Sequence, residues 1–482
     1  MHDEPAATRD GPLAAEGSED WPATSGEDGS QPRPVGWRES LGVWARIGLL
    51  SFGGPAGQIA VMQRILVDEK RWLSQDRFLH ALNYCMLLPG PEATQLMTYV
   101  GWLMHRVWGG VLAGVLFVLP GFVSILALSL VYTSFGETGA VQAVFFGLKP
   151  AVLAIVLGAL VRIGKRTLHG WAPSAIAIGT FAAMFVLRAP FPAVIGGAAL
   201  AGWLLGRTWP SAFAGVQGGH SANAAGSQDG LIDQLSHADM LAHTKPNARK
   251  ALMTLVIWGG LWWLPVAILA IVQADQLWLS LGLFFSKAAV VTFGGAYAVL
   301  AYLAQQAVEQ YHWVTATEML DGLGMAETTP GPLIQVVQHV GFMGAFRQAE
   351  GLPPAAAGVL AAVLVTWVTF VPCFLWIFLG APFMEHLRSH RGIRSALAGI
   401  TAAVVGVVAN LAVWFAAHTM FGDVGEVRAG PVRVIAPEAS SADWRAIVIA
   451  ALACVLVFAA RWGVVRVLGV CVAAGMCLLA LT

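Results

Sequence analysis

SFGGPAGQIAVM, residues 51–62, has a partner 241 residues further on, where TFGGAYAVL occupies 292–300. The same offset maps Pro89-Gly90-Pro91 onto Pro330-Gly331-Pro332, Trp72 onto Trp313, and Leu79 onto Leu320. Arg46 and Lys287 keep a positive charge five residues before the first motif in each copy. Two rare motifs and a tryptophan in one ungapped register mark a duplicated chain, so the fold is to be read as two related halves.

Composition places both halves in a membrane. Of 482 residues, 57% are hydrophobic and 12% charged, against about 25% charged in soluble domains. Apolar runs near the length of a bilayer-spanning helix recur throughout. A formal net charge of zero gives no argument for a nucleic-acid partner. Cys85, Cys373, Cys454, Cys471 and Cys477 include no CxxC pair and read as small apolar residues; neither a metal nor a cofactor is expected. Residues 1–34 are rich in Gly, Pro, Ser and acidic residues and read as a disordered tail. The first membrane repeat then runs over 37–207, a polar linker over 208–250, and the second repeat over 251–482.

Loop charges orient the halves. Arg64, Lys70, Arg71 and Arg77 lie in the loop at 64–77, while its counterpart at 305–318 has no Lys or Arg. Arg162, Lys165 and Arg166 lie at 162–170, whereas the loop near 417–427 carries Asp423 and Glu426. The reverse bias holds between 133–138 and the basic loop at 386–394. The positive-inside rule then predicts inverted-topology repeats, an arrangement common in secondary transporters. Three apolar segments separate two loops that both read as cytoplasmic, so one of them must enter and return. The segments holding Gly53-Gly54 and Pro89-Gly90-Pro91 are the candidates for re-entrant helices, with kinked full spans the competing reading. The expectation is an all-α polytopic membrane protein. It has nine full spans, near 108–133, 138–162, 171–188, 190–207, 251–272, 355–380, 395–418, 445–460 and 463–481, and four broken or re-entrant segments at the motifs.

Irregular backbone at membrane depth is tolerated where it lines a cavity or is buried in protein. A half-helix starting there presents free N–H groups and a positive dipole end to an anion. Ser51, Gly53, Gly54, Pro89, Gly90 and Pro91 and their counterparts Thr292, Gly294, Gly295, Pro330, Gly331 and Pro332 are therefore candidate anion-binding residues. Thr94, Gln95, Thr329 and Gln335 would add neutral donors. Close helix packing through the glycines is the alternative. Glu92 and Glu327 are candidates for proton or gating roles, or simply exposed loop residues. Lys149 lies near the middle of the 138–162 span, where a lysine costs about 2.5–3.5 kcal/mol to insert. It must face a cavity, a substrate or an ion-pair partner. Arg46 and Lys287 read either as anion-attracting charges or as side chains snorkelling at the membrane edge.

The motifs SFGGPAGQIAVM (51–62), HALNYCMLLPGPEATQL (80–96), TFGGAYAVL (292–300) and GMAETTPGPL (324–333) resemble the signatures of the chromate transporter family, in its long two-domain bacterial form. The resemblance runs from about residue 37 to the end. It implies chromate export across the bacterial inner membrane, driven by the membrane potential or an ion gradient. Residue by residue, composition and pattern alone imply a secondary transporter for an anion. Sulfate, close to chromate in shape and charge, is the competing substrate. A homo-oligomer is compatible with the sequence. An intramembrane enzyme is the other class, but there is no Rossmann fingerprint, CxxC or HExxH to support it.

Overall fold

The computed structural model describes residues 35–209, 212, 230–237, 246–293, 295–383, 391–430 and 432–480. The tail at 1–34 and most of the 208–250 linker lie outside them, as does Gly294. The described residues form seventeen α-helices and one short β-hairpin, an all-α polytopic membrane protein.

Several helix starts are set by their capping side chains. Ser74 accepts from the Arg77 N–H at 3.3 Å to begin α3 (Gln75–Cys85). Thr315 and Glu318 form a reciprocal capping box that begins α12 (Ala316–Thr328). At the duplicated glycines the start is a backbone event. Helix α1 (Trp37–Leu50) stops at Ser51, Gly53 takes a left-handed conformation (φ 78°), and α2 (Gly54–Gln63) begins with a proline in its first turn. In the second half α10 (Gln276–Val291) stops at Thr292, and Gly295 (φ 105°) begins α11 (Ala296–Leu303). Both α2 and α11 run on as π-helical turns, Arg64–Glu69 and Ala304–Gln310. The residues after each, Arg71 and His312, share a positive φ at the 241-residue offset.

The broken segments fold back on themselves. Lys70 and Glu39 form an ion pair at 2.8 Å, although about 46 Å would separate them along one continuous helix. Arg46 and Glu69, also 2.8 Å apart, close the same hairpin. In the second half Tyr311 and Trp313 return to pack on Phe284. The segments around the two PGP turns behave alike. Tyr84 of α3 meets Tyr99 of α4 (Glu92–Phe135), their rings 6.2 Å apart. Glu318 of α12 pairs with Arg347 near the end of α13 (Val336–Gln348). Helix α4 is itself two antiparallel arms, because His105 and Arg106 are non-helical (Arg106 φ 56°). The segment 83–107 is thus a hairpin rather than a kinked span.

All nine expected spans are helical: the 107–135 arm of α4, α5 (Gly139–Thr167), α6 (Trp171–Leu187), α7 (Phe191–Thr208), α9 (Ala248–Ile271), α14 (Pro354–Gly380), α15 (Arg391–Met420), α16 (Trp444–Cys454) with its π-helical extension, and α17 (Val464–Ala480). Five described segments, Glu92–Phe135, Gly139–Thr167, Ala248–Ile271, Pro354–Phe383 and Arg394–Met420, are long and apolar enough to cross a bilayer. The remaining helices are shorter. Arg188 and Arg461, both with positive φ, cut α6 and the α16 extension short. Close backbone approach holds the bundle together, as where Gly147 of α5 abuts Gly475 of α17. The outer faces are apolar; α9 exposes Leu252, Val256, Ile268 and Ile271, which suits contact with lipid.

Two elements have no counterpart in the sequence reading. The loop near 417–427 continues into an antiparallel hairpin, β1 (Val424–Ala429) and β2 (Val432–Pro437). Within the expected linker, α8 (Leu231–His237) docks on the first half. The Leu231 and Ile232 N–H groups donate to the Arg71 and Trp72 carbonyls, Asp233 pairs with Arg77 at 3.1 Å, and Ile232 is buried.

Candidate functional site

The breaks of the two halves meet each other. The Gly90 N–H donates to the Thr292 carbonyl at 2.8 Å, and the Gly331 N–H donates to the Ser51 carbonyl at 2.9 Å. The 241-residue offset exchanges these two bonds. Gln58 adds a bond from Nε2 to the Gly331 carbonyl at 2.7 Å. Each PGP turn also rests on a proline-containing stretch of the other half. A methyl built on Gly331 would lie 3.0 Å from Gly121, beside Pro120, and one on Gly90 would lie 3.4 Å from Cys373 Sγ, beside Pro372. All the motifs therefore converge on one buried junction.

Several expected donors are already engaged there. Ser51 Oγ and Thr292 Oγ1 each donate at 2.6 Å to the carbonyl four residues back, and Thr329 Oγ1 does the same at 2.9 Å. Gln95 Nε2 holds the Pro89 carbonyl at 2.7 Å. Gln335 Nε2 donates to Gln338 Oε1 and to Thr366 Oγ1. Pro91 and Pro332 sit at the start of α4 and of the 333–335 turn, and Pro330 packs on Gly121. Among the described residues, Thr94 Oγ1, Gln95 Oε1 and Gln335 Oε1 are buried without a hydrogen-bond partner. The hydroxyls of Ser51, Thr292 and Thr329 hold the breaks in shape.

Carboxylates lie close to the glycines that start α2 and α11. Glu327 is fully buried; Oε1 accepts from the Tyr297 hydroxyl at 2.8 Å and Oε2 has no partner among the described residues. A methyl built on Gly54 would lie 2.9 Å from that hydroxyl and 3.7 Å from Glu327 Oε2. Across the junction, a methyl on Gly295 would lie 3.2 Å from Glu92 Oε1. Each glutamate thus faces the glycine start of the opposite half. Arg162 and Arg166, one turn apart on α5, are exposed and act on Glu327 and Glu92 only as longer-range positive charge. The loop-exposed alternative for Glu327 does not hold.

Lys149 is not brought into this junction. Its Nζ pairs at 3.4 Å with Asp321, which also accepts from Tyr132 at 2.9 Å. Asp321 precedes the end of α12 by seven residues, about 10 Å of helix. His339 continues the polar cluster, 2.9 Å from Ser129 Oγ. Arg46 is exposed and tied to Glu69, and Lys287 is exposed on α10; neither touches the breaks in any described contact. Sequence reasoning used Arg162 and Arg166 only as topology markers and missed Tyr297, Asp321, Tyr132 and His339. Asp321 carried a usable signal, as an acidic residue between apolar neighbours on the helix leading into PGP.

Broken helical hairpins joined to one another within an apolar, all-α bundle suit a polytopic membrane transporter. The chain belongs to the chromate transporter family, whose pattern, described as Chromate transporter, matches residues 39–203 and 279–476. It is similar to a chromate transport protein of Pseudomonas aeruginosa, 30% identical over 80% of this chain and 82% of that one. It is also similar to a chromate transport protein of Cupriavidus metallidurans, 27% identical over 80% and 83%. No solved structure matched the chain.

Proposed function

We propose that this protein is a secondary active transporter that exports chromate from the cytoplasm across the bacterial inner membrane and so confers chromate resistance. The observation that carries the reading is the reciprocal junction. Two glycine-started half-helices, α2 and α11, face the carboxylates of Glu327 and Glu92 there, and Arg162 and Arg166 on α5 add longer-range positive charge. Helix N-termini and guanidinium groups are suited to a tetrahedral dianion. The substrate is taken from the names of the relatives.

The two repeats sit inverted in the membrane. Four full spans in the first half return the chain to its starting side, and α9, which has no counterpart there, adds the single crossing that turns the second half over. The exchange of the Gly90 and Gly331 bonds across the halves agrees with such a pseudo-two-fold. Sulfate transport on the same scaffold is the second reading, since both oxyanions offer the same acceptors.

Chromate uptake into inverted vesicles tests both. Uptake is expected to depend on the membrane potential or an ion gradient, to collapse with the matching ionophore, and to survive excess sulfate. Sulfate uptake that excludes chromate would overturn the chromate assignment, and uptake indifferent to every gradient would overturn secondary transport.

A further inference from the structure

Two glutamates occupy the places where the anion reading puts the substrate. Glu327, from the end of α12, lies against Gly54 at the start of α2, and Glu92, from the start of α4, lies against Gly295 at the start of α11. These positions are not related by the 241-residue offset, which takes Glu92 to Leu333 and Glu327 to Met86. The two halves thus reach the same arrangement, a carboxylate at the other half's glycine start, by different residues. Burial of a carboxylate with one oxygen unpartnered is unfavourable unless something else holds it. The positive dipole end of the helix start beside it is a partial holder, and one that an anion could use in its place.

A dianion entering beside two ionised carboxylates would bring four negative charges into one dry junction. Charge repulsion at effective interior permittivity forbids that occupancy. The alternatives are that the carboxylates leave or that they become neutral. Glu327 accepts from Tyr297 of α11 and has Arg162 of α5 at longer range; Glu92 is influenced by its own backbone N–H at the start of α4, by Cys85 of α3 and, at longer range, by Arg166 of α5. A pair of half-helix starts can hold one dianion or two carboxylates, not both.

We propose that Glu327 and Glu92 stand in for the transported oxyanion at the starts of α2 and α11, and that each yields its place by taking a proton from solvent. Anion binding and proton uptake are then one event. The carboxylate becomes a carboxylic acid, the oxyanion takes over the vacated helix starts, and release reverses both. The inference rests on the oxyanion reading above.

The test is isothermal titration of the full chain, purified in detergent, with chromate and separately with sulfate, in two buffers of different protonation enthalpy. The wild type is expected to take up protons as either anion binds. Its affinity should weaken about tenfold per pH unit for each proton taken up. Glu327→Gln should take up fewer protons, and Glu92→Gln/Glu327→Gln none, with affinity level across pH. Wild-type binding without proton uptake, or undiminished uptake in the double variant, would overturn the proposal. Should the double variant not fold, Glu327→Asp serves: its carboxylate draws back from Gly54, so chromate should bind several-fold tighter at the alkaline end, and unchanged affinity there counts against the proposal. Arg162→Gln/Arg166→Gln separates this from the underlying reading. If those changes and the glutamate changes all leave chromate affinity intact, the anion site is elsewhere. If the arginine changes weaken binding but no proton moves, only the exchange fails.

Discussion

The Gly90 amide donates to the Thr292 carbonyl at 2.8 Å, and its image under the repeat, Gly331 to Ser51, measures 2.9 Å. Each bond ties a PGP turn of one half to the end of the helix before the glycine pair of the other.

The four motif glycines do not tolerate alanine equally. Gly54, Gly90, Gly295 and Gly331 all have positive φ, which costs an L-residue about 1–2 kcal/mol. At Gly331 the added methyl would also lie 3.0 Å from the Gly121 backbone, which has little room to move, whereas at Gly54 it meets the end of a Tyr297 side chain. Gly331→Ala should lower the melting temperature in detergent by clearly more than Gly54→Ala. Equal losses would contradict this account of the packing.

Lys149→Ala should reduce the amount of folded protein as well as transport, because it leaves Asp321 buried and unpaired. Breaking a buried pair from one side typically costs about 3–5 kcal/mol. Lys149→Met/Asp321→Asn, which removes both charges, is expected to recover most of the abundance. Thermal stability measured for the two single variants and the double gives the coupling, and additive losses would show that the 3.4 Å pair contributes nothing.

Single cysteines at Gln75 and Ala316, in a background lacking the native five, should label from opposite sides of the membrane. Cysteines at 75 and 164 should label from the same side. Labelling of 75 and 316 from one side would remove the inverted arrangement, and a split between 75 and 164 would remove the returning hairpin.

The helix α8 is held to the first half by Asp233 and Arg77, 3.1 Å apart, and by buried Ile232. Ile232→Asp should free it, so that limited proteolysis cuts between 230 and 237 faster than in the wild type while the membrane bundle stays intact. Unchanged cleavage would mean that the two backbone bonds to Arg71 and Trp72 suffice.

The sequence by itself determined the membrane class, the duplication and the places where helices break. These are local properties: apolar run length, a motif repeated in one register, and glycines and prolines that interrupt a helix wherever it lies. It also located nine helical segments, five of which lie in helices long and apolar enough to cross a bilayer, and it placed the hairpin turn inside 83–107 through a parity argument about loop charge. Partners across the chain were decided only by the tertiary structure. Ser51, Thr292 and Thr329 looked like donors for a substrate, but each hydroxyl turns back onto its own helix once that helix ends. Lys149 had to face a cavity, a substrate or an ion-pair partner, and only the fold shows that α12 brings Asp321 to it from 172 residues away. Glu92 and Glu327 follow and precede their PGP turns with no common spacing. Their meeting with Gly295 and Gly54 arises from the crossing of two hairpins, whose packing depends on side-chain volumes across the whole junction rather than on any stretch of chain.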